Sequence, residues 1–243
     1  MRIYAPNATL DQIVGGTLNA GVIPWARLDL ISAIRSRAYF EEDFEGGSTT
    51  SGSIGRLGWS TISTATGSIA GGLMANGDPG AYLLQTGATS GSFITLFCGP
   101  AGLSFFKANM LFDIAFSFLA SASDNSLGFD VGMADQTNTL DPSEGIYLQK
   151  KTGDTNYFFV CRNGGVETRT DSGVAADTNI HTIRIRQTSV GTIGFSLDGG
   201  AFVNIASNVP STGLQLNVVL TNAVAANKVI YMDAVIGSVS VTR

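Results

Sequence analysis

Charge is what this sequence has least of. Asp, Glu, Lys and Arg make up 14% of its residues, well under the roughly 25% usual for soluble domains, and no run of Lys or Arg breaks the scarcity. Nucleic acid is therefore not an expected partner, because phosphate recognition needs a concentrated basic footprint. Histidine occurs once, as His181, and cysteine twice, as Cys98 and Cys161. One imidazole leaves a zinc-type site short of ligands and forces any Ser-His-Asp or Cys-His scheme through a single residue. Two distant cysteines do not make a disulfide framework. Each sits in an apolar strand-like run, where a thiol behaves as a small hydrophobe. No stretch approaches the ~20 apolar residues that cross a bilayer as a helix, and no membrane is expected as a partner. The opening Met1-Arg2-Ile3-Tyr4-Ala5-Pro6 lacks the apolar core of a signal peptide.

What the chain does have is glycine and alternation. Thirty glycines punctuate short apolar runs from about Tyr39 to Arg243. Phe112, Ile114, Phe116 and Phe118 alternate with Asp113, Ala115 and Ser117, and Phe129, Val131 and Met133 repeat the period of two that places alternate side chains on one face of a strand. Phe93 to Cys98 reads as a buried strand. Asn163-Gly164-Gly165 joins Tyr157–Arg162 to Val166 onward, and Asp198-Gly199-Gly200 joins Ile193–Leu197 to Phe202–Ile205. Asn-Gly and Asp-Gly between strands are hairpin signals, because a type I′ turn needs positive φ at both central positions. Thr182–Arg186, Leu216–Leu220, Lys228–Ile236 and Val239–Val241 carry the pattern to the C-terminus. Ten or more strands, with the last returning to pair near the first, predict an all-β fold, a two-sheet antiparallel jelly-roll sandwich over residues 39–243.

Composition shifts near residue 38. Thr9-Leu10-Asp11-Gln12 has capping-box spacing with Gly15-Gly16 as a stop. Pro24 suits the first position of a second helix carrying Trp25, Leu28, Ile31 and Ile34 along one side. Residues 1–38 are therefore expected to be a partly helical N-terminal arm. Helices this short are marginal alone, so Ile23, Trp25, Leu28, Ile31 and Ile34 are the candidate partner-docking residues.

From Phe40 onward the chain resembles the concanavalin A-like (lectin/glucanase) jelly rolls, particularly those of tailed-bacteriophage virion proteins. The resemblance lies in Phe40-Glu41-Glu42-Asp43-Phe44 as an opening strand and in Asp177–Arg186, Ile193–Gly199 and Asn208–Pro210 as a hairpin of one sheet. Ile230–Val235 completes it as a closing strand. It implies a non-enzymatic virion protein: a capsid decoration or cement protein, assembled in the host cytoplasm and held to the major capsid protein or tail proteins by its arm. Decoration proteins of this kind often form homo-oligomers, trimers among them. The alternative is a glycan- or receptor-binding module of a tail fibre or spike.

A glycoside hydrolase ranks below both. Glucanases of this fold carry Glu-x-Asp-x-Glu on a strand, with alternate carboxylates on one face. Glu41, Asp43 and Glu45 have that spacing. Where the family has a core-facing apolar residue between the first two acids, however, this chain has Glu42, and the strand opens the domain. The blander reading is an acidic, solvated first strand. His181 shares parity with Ile183 and Ile185, consistent with a satisfied strand-end residue. Asp124-Asn125 and Asp135 to Asp141 could hold a hard cation, although Asp and Asn are also ordinary turn formers. Gly71-Gly72, Gly164-Gly165 and Gly199-Gly200 lack the helix and Gly-Lys-Ser/Thr ending of a phosphate loop, and no cofactor or metal is expected. Trp59, Tyr82 and Tyr147 are candidate platforms for a surface glycan.

Overall fold

The structure is a computed structural model that describes residues 37–44, 54–55, 57–64, 66–72, 80–98, 110–120, 125–135 and 140–240. The arm and its helices, with Ile23, Trp25, Leu28, Ile31 and Ile34, lie outside the described residues, as do Glu45, Asp124 and residues 136–139.

Fifteen strands are described: β1 Arg37–Glu42, β2 Ser60–Ser63, β3 Ser68–Gly72, β4 Ala81–Gln85, β5 Phe93–Cys98, β6 Phe112–Ala120, β7 Leu127–Ala134, β8 Gly145–Lys150, β9 Asn156–Asn163, β10 Val166–Ala175, β11 Ile180–Ser189, β12 Thr192–Leu197, β13 Val203–Ile205, β14 Gln215–Asn222 and β15 Val229–Ser240. Their pairings are all antiparallel and form two sheets. One runs β13-β12-β11-β6-β15-β4-β3, with β1 also on β15; the other runs β10-β9-β8-β7-β14-β5-β2. The expected all-β two-sheet sandwich is the fold observed. The closing strand meets the opening one as anticipated, Arg37 opposite Ser240 through Glu42 opposite Val235.

The core lies between the sheets. β6 turns Phe112, Ile114, Phe116 and Phe118 inward, and they meet Leu127, Phe129, Val131 and Met133 of β7 and Leu216, Val218 and Leu220 of β14 in one buried cluster. Phe118 contacts Phe129 edge-on at 5.6 Å between ring centres, and Phe159 stacks on Phe195 at 5.2 Å, separations at which aromatic pairs add to plain burial. Cys98 and Cys161 are buried free thiols in this cluster. Burial, followed by the nearby Glu42 charge, pushes the Cys98 thiol up to about 12.

Two turns show how sequence sets register. In the β12–β13 connection Asp198 (φ 52°) and Gly199 (φ 74°) are the central pair, closed by the Gly200 N–H donating to Leu197 O at 3.0 Å. The β9–β10 turn differs by one position from the Asn-Gly reading. Asn163 pairs with Val166 as the last strand residue, and Gly164 (φ 58°) and Gly165 (φ 81°) make the turn. Two consecutive glycines adopt positive φ more cheaply than Asn followed by Gly.

Candidate functional site

Residues of β7 that do not face the core face away from the sandwich: Gly128, Asp130, Gly132 and Ala134. The matching outward set is Gly145, Tyr147 and Gln149 on β8 and Asn217 and Val219 on β14. Glycine makes this face what it is. A Cβ on Gly145 would lie 2.4 Å from the Tyr147 ring, and one on Gly132 would lie 2.7 Å from Tyr147 Cα and 2.4 Å from Ile146 O. The phenol can therefore lie down on the sheet. A shallow crease follows, lined by Asp130, Met133, Pro142, Tyr147, Asn217 and Val219 among others.

The polar groups here are ordered by one amide. Gln149 Nε2 donates to Asp130 Oδ1 at 3.0 Å and to Asp141 Oδ1 at 3.2 Å, while its Oε1 accepts from Arg169 Nε at 3.1 Å. The two carboxyls live in opposite environments. Asp130 is 5% exposed, and burial, reinforced by the Asp141 charge, pushes it up to about 8. Asp141 would also be raised by burial, but hydrogen bonds from Lys151 and Gln149 and the charges of Lys151 and Arg162 outweigh that and hold it below the usual carboxylate range. Lys151 Nζ sits 2.9 Å from Asp141, and Glu167 bridges Lys151 (3.5 Å) and Arg162 (2.9 Å). Arg169 pairs with Asp154 and lies over the Phe158 ring at 3.5 Å. Among the described residues, Asp130 Oδ2 and the Tyr147 hydroxyl are buried without a hydrogen-bond partner, as is Arg162 Nε. Burial, followed by the Asp130 and Asp141 charges, raises Tyr147 above its ordinary value.

A protonated acid beside an ionised one is the pairing that general acid–base sites use. Glycoside hydrolysis also needs the two carboxyls to flank a space for the sugar, whereas Asp130 and Asp141 share one amide and Asp141 is held by two cations. The arrangement is suited to hydrogen-bonding a neutral polar group. Sequence reading singled out Tyr147 and the Asp135 to Asp141 loop but missed Asp130 and Gln149, which join them. The available signal was an acid at outward parity, Asp130, in a strand of otherwise glycine and apolar residues.

The other expected sites fall elsewhere. Glu41 is exposed and Asp43 half-buried at the end of β1, in the other sheet. The expectation of a wholly solvated first strand is corrected at Glu42. This side chain is fully buried and accepts the Phe44 N–H at 3.1 Å and the Leu57 N–H at 2.8 Å. Trp59, Tyr82 and Tyr147 are at most 1% exposed, so none is a surface platform. Trp59 and Tyr82 instead pack on Phe44. His181 is buried and satisfied, as its parity suggested. Its Nδ1 lies 2.7 Å from Asp198 and its Nε2 2.9 Å from Asp177, with its ring against Tyr157 and Phe118. Asp135 accepts the Glu144 N–H. Among the described residues no three His, Cys, Asp or Glu side chains gather as a metal site.

No protein-family model and no curated protein sequence matches the chain. Solved structures do. A protein of unknown function from Shewanella oneidensis MR-1 superposes with a TM-score of 0.63 at 16% identity, covering 93% of this chain and 99% of that one. The carbohydrate recognition domain of Emp47p gives 0.56 at 11% identity over 84% and 97%. An endo-1,3-beta-glucanase from Streptomyces sioyaensis gives 0.56 at 12% identity over 85% and 98%. The fold is thus that of the concanavalin A-like lectins and glucanases, and at these identities the likeness is one of fold alone.

Proposed function

We propose that the chain is a non-enzymatic structural protein of a phage virion, a decoration or cement module that works by contact with neighbouring subunits. The observation that carries the reading is how its side chains are distributed. Ionisable groups that sequence reading could have offered for chemistry serve the fold: Glu42 holds two backbone N–H groups, His181 lies between two carboxylates, and Asp141 lies between two cations. The outer face of the larger sheet instead presents Tyr39, Ile180 and Ile236 to solvent, 57%, 42% and 51% exposed. Tyr39 and Ile236 are diagonal neighbours across β1 and β15, and adjoining exposed apolar groups support a contact surface. The phage setting rests on the resemblance carried by Phe40–Phe44 and by the segments between Asp177 and Pro210. Docking by the arm residues Ile23, Trp25, Leu28, Ile31 and Ile34 belongs to the same reading. At about 25 cal/mol per Å², a few hundred Å² of apolar contact contributes several kcal/mol before association costs.

Deletion of residues 1–36 tests it, the cut lying before Arg37 because β1 pairs from that residue. Incorporation into particles and the temperature at which particles open are both expected to fall. Unchanged incorporation and unchanged particle stability would overturn the reading.

A second reading, binding of a neutral glycan or receptor group, is favoured by one observation: the unpartnered Asp130 Oδ2 and Tyr147 hydroxyl at the crease. Reproducible hits on a glycan array that Asp130→Ala abolishes would establish it. A blank array with folded protein would remove it.

A further inference from the structure

The outer face of the larger sheet carries its side chains in cross-strand rows, and two adjacent rows are ordered by charge. In the first, Arg184 on β11 is the register partner of Ala115 on β6, which faces Ile236 on β15, which faces Glu41 on β1. In the second the sequence is Arg186, Asp113, Ser238 and Tyr39. Each row has a cation at the β11 end. At the β1 end the first has an anion and the second an aromatic ring; Ala115 and Ile236 lie between in the first, and Ser238 and Asp113, the latter paired with Arg184, in the second. Ile236 and Tyr39 are more than half exposed, as is the Arg184 side chain at 51%, and Glu41 is exposed. Arg184 is already aimed by Asp113, through Nε at 2.7 Å and Nη2 at 2.5 Å, and Arg186 lies over the Phe202 ring at 3.4 Å. Both cations are thus held in place before any partner arrives.

We propose that this face is a two-fold interface between two copies of this chain, an inference that rests on reading the protein as an assembly module. A two-fold axis lying in the contact plane, parallel to the strands and between β6 and β15, exchanges the two ends of each row. It sets Arg184 over Glu41 of the second copy, and Glu41 over that copy's Arg184. Ala115 then meets Ile236, small against large as interdigitating layers require, and Arg186 meets Tyr39 across a cation–π distance. An isologous contact needs one patch to complement itself. These rows do so in charge and in size, and two sheets packed within about 30° of parallel keep such rows in register. Farther along the face, Ile180, Leu119, Tyr231, Leu83 and Ala70 form one apolar row across five strands, which extends the contact beyond the charged ends.

Sedimentation of the full chain across a concentration series tests the proposal, with circular dichroism confirming that each variant is folded. The wild type is expected to dimerise. Glu41→Arg and Arg184→Glu should each raise the dissociation constant at least tenfold by setting like charges face to face. Mixed in equal amounts, the two variants should recover the dimer, because every facing pair is then opposite in sign. Ile236→Asp should weaken the dimer without rescue by either. A wild type that stays monomeric, or any oligomer that ignores both charge reversals, would overturn the interface. Particle incorporation measured on the same variants separates the two ideas: a monomeric protein that still enters particles removes the interface and leaves the virion assignment standing.

Discussion

At the scale of single residues, the most consequential side chain is one whose sequence position hid its role. Glu42 stands between the first two acids of a Glu-x-Asp-x-Glu spacing, and the structure puts it in the core with its carboxylate on two backbone N–H groups. Gly55 lies against that carboxylate at φ 61°, and a Cβ there would come within 2.3 Å of Oε2. Glu42→Ala removes an acceptor from two N–H groups at once. Hydrogen bonds to a charged group are each worth about 1.5–3 kcal/mol, so urea unfolding should show a loss of about 3 kcal/mol or more. Gly55→Ala should approach the same loss through the carboxylate it displaces.

Asp130 gives a residue-scale prediction with a pH sign. Its folded-state pKa, pushed up to about 8 by burial and then by Asp141, exceeds the unfolded value near 4. Between those limits the folded chain holds a proton that the unfolded chain has released. This contribution to stability is therefore full below about pH 4 and declines as pH rises toward 8, by up to about 1.4 kcal/mol per pH unit. Asp130→Asn keeps the oxygen that Gln149 uses and removes the titration. Chemical denaturation from pH 5 to 8 should show the variant losing less stability with rising pH than the wild type does. Parallel curves would mean that Asp130 is ionised throughout.

At the scale of elements, the parts readable from sequence were those in which one side chain dominates a local choice. β6 was legible because four inward aromatic or aliphatic residues alternate with small or polar ones. The β12–β13 turn was legible because Asp-Gly adopts consecutive positive φ. β8 was not, since Gly145 to Lys150 are all buried, on both faces. Burial on both faces erases alternation, and even Lys150 points inward, its Nζ donating to Leu127 O at 3.1 Å. The outer-face network was opaque for a related reason: Asp130, Asp141, Gln149 and Arg169 come from separate strands and loops and are joined only by register. The Asp198 turn is also more than a turn. Its carboxylate accepts the Thr182 N–H at 2.8 Å and holds His181 at 2.7 Å, fastening the β12–β13 corner to the start of β11. His181→Ala and Asp198→Ala should each destabilise the sandwich. A double-mutant cycle by thermal unfolding should find the pair coupled, because residues sharing one network are not additive. Strict additivity would show that Thr182 alone accounts for the effect of Asp198.

At the scale of the whole molecule, the last strand is the keystone. β15 pairs with β6 along one edge and with β4 and β1 along the other, so it joins strands drawn from the beginning, the middle and the end of the sequence. It also sends Ile230, Met232, Val235 and Val239 into the core. Full burial of such side chains is worth about 1.5–3 kcal/mol each. Four of them together rival the roughly 5–15 kcal/mol net stability of an ordinary domain. A chain ending at Lys228 loses this burial and exposes three unpaired strand edges, each a template for aggregation. It should accumulate as insoluble protein, or bind a hydrophobic dye and show no cooperative thermal transition. A chain beginning at Arg37 keeps every pairing described in either sheet and should unfold in one sharp transition. If the chain ending at Lys228 were soluble and unfolded cooperatively, the sandwich would owe its stability to the seven-stranded sheet alone, and β15 would be a covering strand.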